Sequence, residues 1–283
     1  MTNMPQITAV STRSVLITGC SSGIGLASAV ALKQRGWRVL ATARKPEDLT
    51  RLRDLGFDAL SLELADGKSI EACAAEALRL TGGKLTALVN NAAYGQIGAV
   101  EDLTVAVLRH QFEVNFLGTH DLTRRLIPSM RANKSGRIVQ ISSVLGLMAA
   151  PYRGAYCASK FALEALSDAM RMELRGTGIE VSLIEPGPVR TKFLDAVLTN
   201  FRANIDVASS VHKDVYAQRV AGIERGGKST FKVEPEDVAK RVILAIEGIN
   251  PKPRYFVTVP THAANILKRA LPTVLLDRFA RAN

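Results

Sequence analysis

Short, continuously apolar runs alternate along this chain with longer stretches in which apolar positions recur every three or four residues. The runs at 15–18, 37–42, 59–64, 85–90, 137–142, 179–184 and 255–259 read as strands. The stretches at 23–34, 46–55, 68–80, 104–131, 156–175 and 236–247 read as helices. Strands without polar alternation are buried on both faces, which is the mark of a parallel sheet with helices on either side. Residues 190–232 break the alternation: they are polar, carry Gly226-Gly227 and show no strong period, so they are expected to form an irregular lid. A tail at 262–280 is expected to be one basic amphipathic helix. No internal repeat or linker divides the chain.

The first expected strand runs into Thr18-Gly19-Cys20-Ser21-Ser22-Gly23-Ile24-Gly25. Glycines suit a turn where backbone must approach a ligand, and the helix starting there offers unpaired N–H groups and a positive dipole end to a pyrophosphate. An ordinary tight turn would look similar. The position, after the first strand of a strand–helix–strand unit, favours dinucleotide binding. The expected architecture is therefore a three-layer α/β/α, doubly wound parallel sheet (Rossmann fold) in a single domain over residues 14–260. Residues 1–13 form a short leader and 261–283 a C-terminal helix. The second strand leads into Arg44-Lys45, where an NAD site usually carries an acidic residue for the ribose. Arg44 can fork onto a 2′-phosphate, Lys45 adds charge, and Ser21 or Ser22 can donate to the same group. NADP(H) is the expected cofactor.

Composition narrows the picture. The chain has 283 residues, 47% hydrophobic, enough for one full core. No apolar run is long enough to span a membrane, and the N-terminus does not read as a secretory signal. Three cysteines without paired spacing point to a reducing, cytoplasmic setting. Four scattered histidines argue against a metal site. The net charge of +11 has no dense basic tract, so nucleic-acid binding is not expected.

Several separate motifs together resemble the short-chain dehydrogenase/reductase family, over residues 14 to about 250. Thr18-Gly19-x-x-x-Gly23-Ile24-Gly25 resembles its coenzyme turn. Asn90-Asn91-Ala92-Ala93 resembles its Asn-Asn-Ala-Gly, with Ala93 in place of glycine. Ser143, Tyr156 and Lys160 stand at the family's spacing, and Asn115 lies in the corresponding helix. Pro186-Gly187-Pro188-Val189-Arg190-Thr191 resembles the segment that covers the nicotinamide. The Tyr-x-x-x-Lys spacing is that of the single-domain branch. Finer similarity is to the retinol and 17β-hydroxysteroid dehydrogenases and to bacterial NADP-dependent aldehyde reductases.

The resemblance implies an oxidoreductase that moves a hydride between NADP(H) and a carbonyl or hydroxyl carbon. Tyr156 would be the acid or base, Lys160 its cationic partner one helical turn on, and Ser143 a donor to the substrate oxygen. Asn115 would hold a water that relays protons to Lys160. Gly187, Pro186, Val189, Thr191, Asn91, Ala92, Ala93, Glu63 and Leu64 would add cofactor contacts, although Glu63 stands where the family usually has Asp.

Leu145, Leu147, Met148, Pro151 and Tyr152 follow the serine and, with Phe193, Leu194 and Val197 from the lid, could wall an apolar pocket for a lipophilic aldehyde, ketone or alcohol. The tail carries Ile266, Leu267, Leu271, Val274, Leu275, Leu276 and Phe279 among Lys268, Arg269, Arg278 and Arg281. Such a helix packs on its own domain or a partner subunit, which is the expectation here, or lies peripherally on a membrane. A homodimer or homotetramer through the long helices is implied by the resemblance. Two other readings stay open: an NADP(H)-binding redox sensor without activity, and a membrane-surface interaction protein on the same scaffold.

Overall fold

In a computed structural model, residues 13–225 and 231–282 are described. Most of the expected leader, Gly226-Gly227 in the lid, and the side chains of Phe279 and Arg281 lie outside the described residues. Seven strands are present: β1 (Ser14–Ile17), β2 (Arg38–Ala43), β3 (Asp58–Ser61), β4 (Ala87–Asn90), β5 (Gly136–Ile141), β6 (Ile179–Glu185) and β7 (Arg254–Phe256). All pair in parallel in the order β3-β2-β1-β4-β5-β6-β7.

Successive side chains along a strand point to opposite faces, and the core divides accordingly. Val15, Ile17, Val39, Ala41, Ala87 and Val89 face one layer, which includes α1 (Gly23–Gln34), α2 (Pro46–Asp54) and α9 (Pro235–Glu247). Leu16, Leu40 and Leu88 face the other, with α3 (Gly67–Leu80), α5 (Thr119–Ala132) and α6 (Gly154–Glu173). Leu16, Ile17, Leu40 and Leu88 are fully buried, each contributing about 1.5–3 kcal/mol of transfer free energy. The strand order reverses between β1 and β4, so a crevice opens beyond their carboxyl ends, the usual ligand position in such sheets.

Three stretches differ from expectation. Residues 104–131 are not one α-helix. They form α4 (Val105–Phe112), a π-helical segment (Glu113–Gly118) and α5. Within the π segment, Gly118 lies so close to Leu64 that an added Cβ would stand 1.9 Å from the Leu64 carbonyl oxygen. Asn115 is held there by the backbone of Tyr94. Wide turns of this kind recur at functional sites.

The expected irregular lid instead contains α7 (Phe193–Asn204) and α8 (Lys213–Glu224). Among the residues of α8 only Tyr216 is buried, so the helix shows no apolar period to read. Phe201, Ile205 and Tyr216 build a small core of their own with Ala99.

The tail is two helices, α10 (Val259–Ala270) and α11 (Thr273–Ala282), rather than one. Leu271 is extended at φ −104° and ψ 142°, the conformation that a following proline, here Pro272, imposes. Helix α10 packs on the domain through buried Thr261 and Ala264, and Lys268 lies 4.6 Å from the Phe161 ring centre. Val274 and Leu275 of α11 are exposed. No helix among the described residues is long and apolar enough to cross a membrane.

Candidate active site

Strand β1 ends in a turn that only glycine permits. Gly19 has φ +72°, in the left-handed region. A Cβ on Gly25 would stand 2.2 Å from the Gly19 carbonyl oxygen, so the first turn of α1 presses directly on the strand exit. Ser22, the residue capping α1, makes no side-chain capping bond, which leaves the N-terminal N–H groups of the helix to a ligand. Thr18 ties this turn to the end of β4. Its hydroxyl accepts from the N–H groups of Asn91 and Ala92, both at 2.9 Å. The Asn91 amide donates to the Thr18 and Gly19 carbonyls at 2.9 and 3.1 Å. Its side chain thus braces the turn. Ile24 packs against the core beneath.

The exit of β6 closes over the same turn. Pro186 is buried and its carbonyl accepts from Val144 N–H at 2.8 Å. A Cβ on Gly187 would meet the Thr258 hydroxyl at 2.2 Å. Val189 bridges to Val233, and the Thr191 side chain reaches over Gly23.

Basic side chains cluster where β2 ends. Arg44 pairs with Glu63 at 3.5 Å and Lys45 with Glu47 at 3.7 Å, all four well exposed. Glu63 also accepts from Ala65 N–H at 3.1 Å. Leu64 is buried, with its carbonyl against Gly118. Arg51, unnoticed in the sequence, donates to the Ser21 carbonyl and to Asp48. It lies seven residues beyond Arg44, on a helix whose fold back toward β1 no local pattern reveals.

At the end of β5, Ser143 caps a short turn, accepting from Leu145 N–H at 3.1 Å. It stands close enough to the Tyr156 phenol to favour the ionised form. Desolvation pushes that phenol up to about 12, against the nearby Ser143 hydroxyl and the positive field of Arg153. Lys160 is buried one turn along α6, with Nζ 5.7 Å from the Tyr156 ring centre and donating to the Ile141 carbonyl at 2.7 Å. Burial drives its pKa down to about 8, opposed by Glu164. Asn115 donates to the Tyr94 carbonyl at 2.9 Å and to Ser159 at 3.3 Å, and accepts from Tyr94 N–H at 3.1 Å. Ser159 donates in turn to the Tyr156 carbonyl at 2.8 Å, which ties Asn115 to the helix that carries Tyr156 and Lys160.

Of the expected pocket wall, Phe193 lies on Tyr156, and both Phe193 and Val197 approach Gly95. Leu145, Met148 and Leu194 are half-buried nearby in sequence, while Leu147 is buried. Tyr152 faces the lid: its ring meets His212 and Tyr216 edge-on, and its hydroxyl shares a 3.2 Å hydrogen bond with His212 Nδ1. Asp102, also missed in the sequence, accepts from Tyr216 and from Ser210, anchoring α8.

Residues 13–200 match the family model described as short chain dehydrogenase. The chain belongs to the short-chain dehydrogenase/reductase family. Its sequence is 45% identical over 267 residues to the uncharacterized oxidoreductase YbbO of Escherichia coli strain K12, covering 94% of this chain and 93% of that protein. It is 35% identical to human 17-beta-hydroxysteroid dehydrogenase type 1, over 86% of this chain and 77% of that one. A short chain dehydrogenase/reductase from Burkholderia phymatum, solved in complex with NAD, superposes with a TM-score of 0.78 at 27% identity, covering 95% of each chain. Family membership and the doubly wound parallel sheet thus agree with the motifs.

Proposed function

We propose that this protein is an NADP(H)-dependent oxidoreductase acting on a lipophilic aldehyde, ketone or alcohol. The observation that carries the reading is the joint placement of Ser143, Tyr156, Lys160 and Asn115 at the end of β5 and beside the crevice. The strand-exit turn fits a dinucleotide: Gly25 leaves no room for a side chain, and the uncapped start of α1 suits a pyrophosphate. Arg44, Lys45 and Arg51 gather where a 2′-phosphate would lie, which supports NADP(H) over NAD(H). When bound, the nicotinamide supplies or accepts the hydride.

The chain's own residues handle the proton. In reduction Tyr156 donates from its hydroxyl to the substrate oxygen, and in oxidation its tyrosinate removes the proton. Ser143, close to that phenol, donates to the same substrate oxygen and steadies its charge. The Lys160 cation lies near enough to favour tyrosinate once the site is filled. Asn115 and Ser159 place a polar path beside Lys160 for its proton. Phe193 and Val197 exclude water from one side. Apolar walls, and the relatedness to a steroid dehydrogenase, support a lipophilic substrate.

The test follows NADPH and NADH oxidation against aldehydes and ketones of increasing chain length, with Tyr156→Phe as control. NADPH-dependent turnover that rises with chain length and is lost in the variant is the expected result. Equal turnover by the variant would remove Tyr156 from its role.

A further inference from the structure

Two arginines lie at the seam between the lid and the start of α6. Arg153 follows Tyr152 and caps α6, three residues before Tyr156. Arg219 comes from α8, its guanidinium carbon 4.3 Å from the centre of the Tyr152 ring. Both are half-buried, and each lies in the other's field. Like charges gathered in a partly desolvated place raise the free energy of the fold unless an anion joins them.

No protein anion does so among the described residues. Arg35, Arg190, Arg202 and Arg254 all pair with carboxylates, but neither Arg153 nor Arg219 does. The nearby carboxylates are engaged elsewhere. Glu101 pairs with His212 at 2.6 Å, and Asp102 accepts from Ser210 and Tyr216. The start of α6 has no acidic residue in its first turn and no side-chain cap, so its dipole points the same way. Burial and the charge of Arg153 both disfavour the Arg219 cation as it stands.

Arg153 sits at the start of α6, bridged to Gly98, rather than at the end of β2 where Arg44 and Lys45 lie. Arg153 is instead close enough to Tyr156 for its charge to act on the phenol.

We propose that Arg153 and Arg219 form an anion-binding subsite for the substrate, so that the preferred substrate is a lipophilic carbonyl compound with a carboxylate-like anionic head. This rests on the reading of the site as a carbonyl-reducing one. The head group would fork between the two guanidiniums while the carbonyl oxygen lies at Tyr156 and Ser143. The apolar chain between them would run past Phe193.

The test separates binding from turnover. In calorimetry on the full chain with NADP+, decanoate and decanol are titrated into the parent, Arg153→Met and Arg219→Met. Methionine keeps an apolar stem of similar length on Tyr152. Decanoate is expected to bind more tightly than decanol to the parent and to lose about tenfold or more in each variant, with decanol unchanged. The decanoate advantage should shrink as salt is raised. Equal binding of the two ligands by the parent, or equal losses for both in the variants, overturns the subsite. So does a loss of NADP+ affinity in the variants, which would assign the arginines to the cofactor. In a second arm, NADPH oxidation with a 10-oxo fatty acid is compared with decanal. A kcat/KM preference for the oxo acid that disappears in both variants supports the subsite. Selective decanoate binding without any turnover would keep the subsite and remove the reductase reading.

Discussion

The rings of Phe193 and Tyr156 lie with centroids 5.7 Å apart and planes inclined by 60°. One comes from the first lid helix and the other from α6, so the lid rests directly on that tyrosine. Ring pairs of this kind are worth about 0.5–1.5 kcal/mol beyond the area they bury. Phe193→Ala should therefore raise KM for apolar carbonyl substrates by about fivefold, while NADPH affinity stays within error. Steady-state kinetics with a calorimetric NADPH titration checks both. An unchanged KM would mean that the contact does not shape the substrate site.

Lys160 governs the expected pH profile. Its pKa is held down to about 8 by burial, whereas Tyr156 is pushed up to about 12. Reduction needs the tyrosine protonated and the lysine charged. The kcat/KM for reduction should be level at neutral pH and fall as pH rises through about 8, where Lys160 loses its proton. Lys160→Arg keeps the charge at all accessible pH values and should abolish that limb, even at a lower rate. Persistence of the limb in the variant would assign it to another group.

Arg44 pairs with Glu63, at 3.5 Å and largely in solvent. It is free to turn onto a 2′-phosphate at little cost. Arg44→Ala should weaken NADPH by about 1.5–3 kcal/mol and leave NADH nearly unaffected. Equal losses for both cofactors, measured as Kd by fluorescence titration, would contradict a 2′-phosphate role.

Behind the site, Arg254 of β7 donates to Glu164, Glu185 and Asp168. Glu185 is fully buried, and burial beside Glu164 pushes its carboxyl well above the usual range. Arg254→Met leaves these carboxylates without their cation and should destabilise the fold by about 3–5 kcal/mol. Because the folded-state pKa of Glu185 is raised, its contribution is fully present below the ordinary carboxylate pKa and is lost as pH rises through the raised value. The variant raises that pKa further, so its deficit should grow as pH rises beyond the parent's raised value in urea unfolding. A deficit independent of pH would exclude this origin.

The strands, α1 and the Gly19–Gly25 turn were legible because local rules suffice for them. Continuous apolar runs mark strands buried on both faces, and the glycines answer to backbone constraints within a few residues. Ser143, Tyr156 and Lys160 were legible through their spacing on a strand end and a helix face. The π segment around Asn115 was not, because it depends on Leu64 and Tyr94, distant in sequence. Helix α8 was not, because its one buried residue leaves no period.

By itself, then, the sequence determined the order of the seven strands and the glycine turn after β1, which rest on contacts within one or two elements. Only the tertiary structure decided that Phe193 covers Tyr156, that Arg51 reaches back to the Ser21 carbonyl, and that Arg219 from the lid lies over Tyr152. Charge pairing and lid packing are set by which surfaces the fold brings face to face, and residues far apart in the chain carry no local pattern that records it.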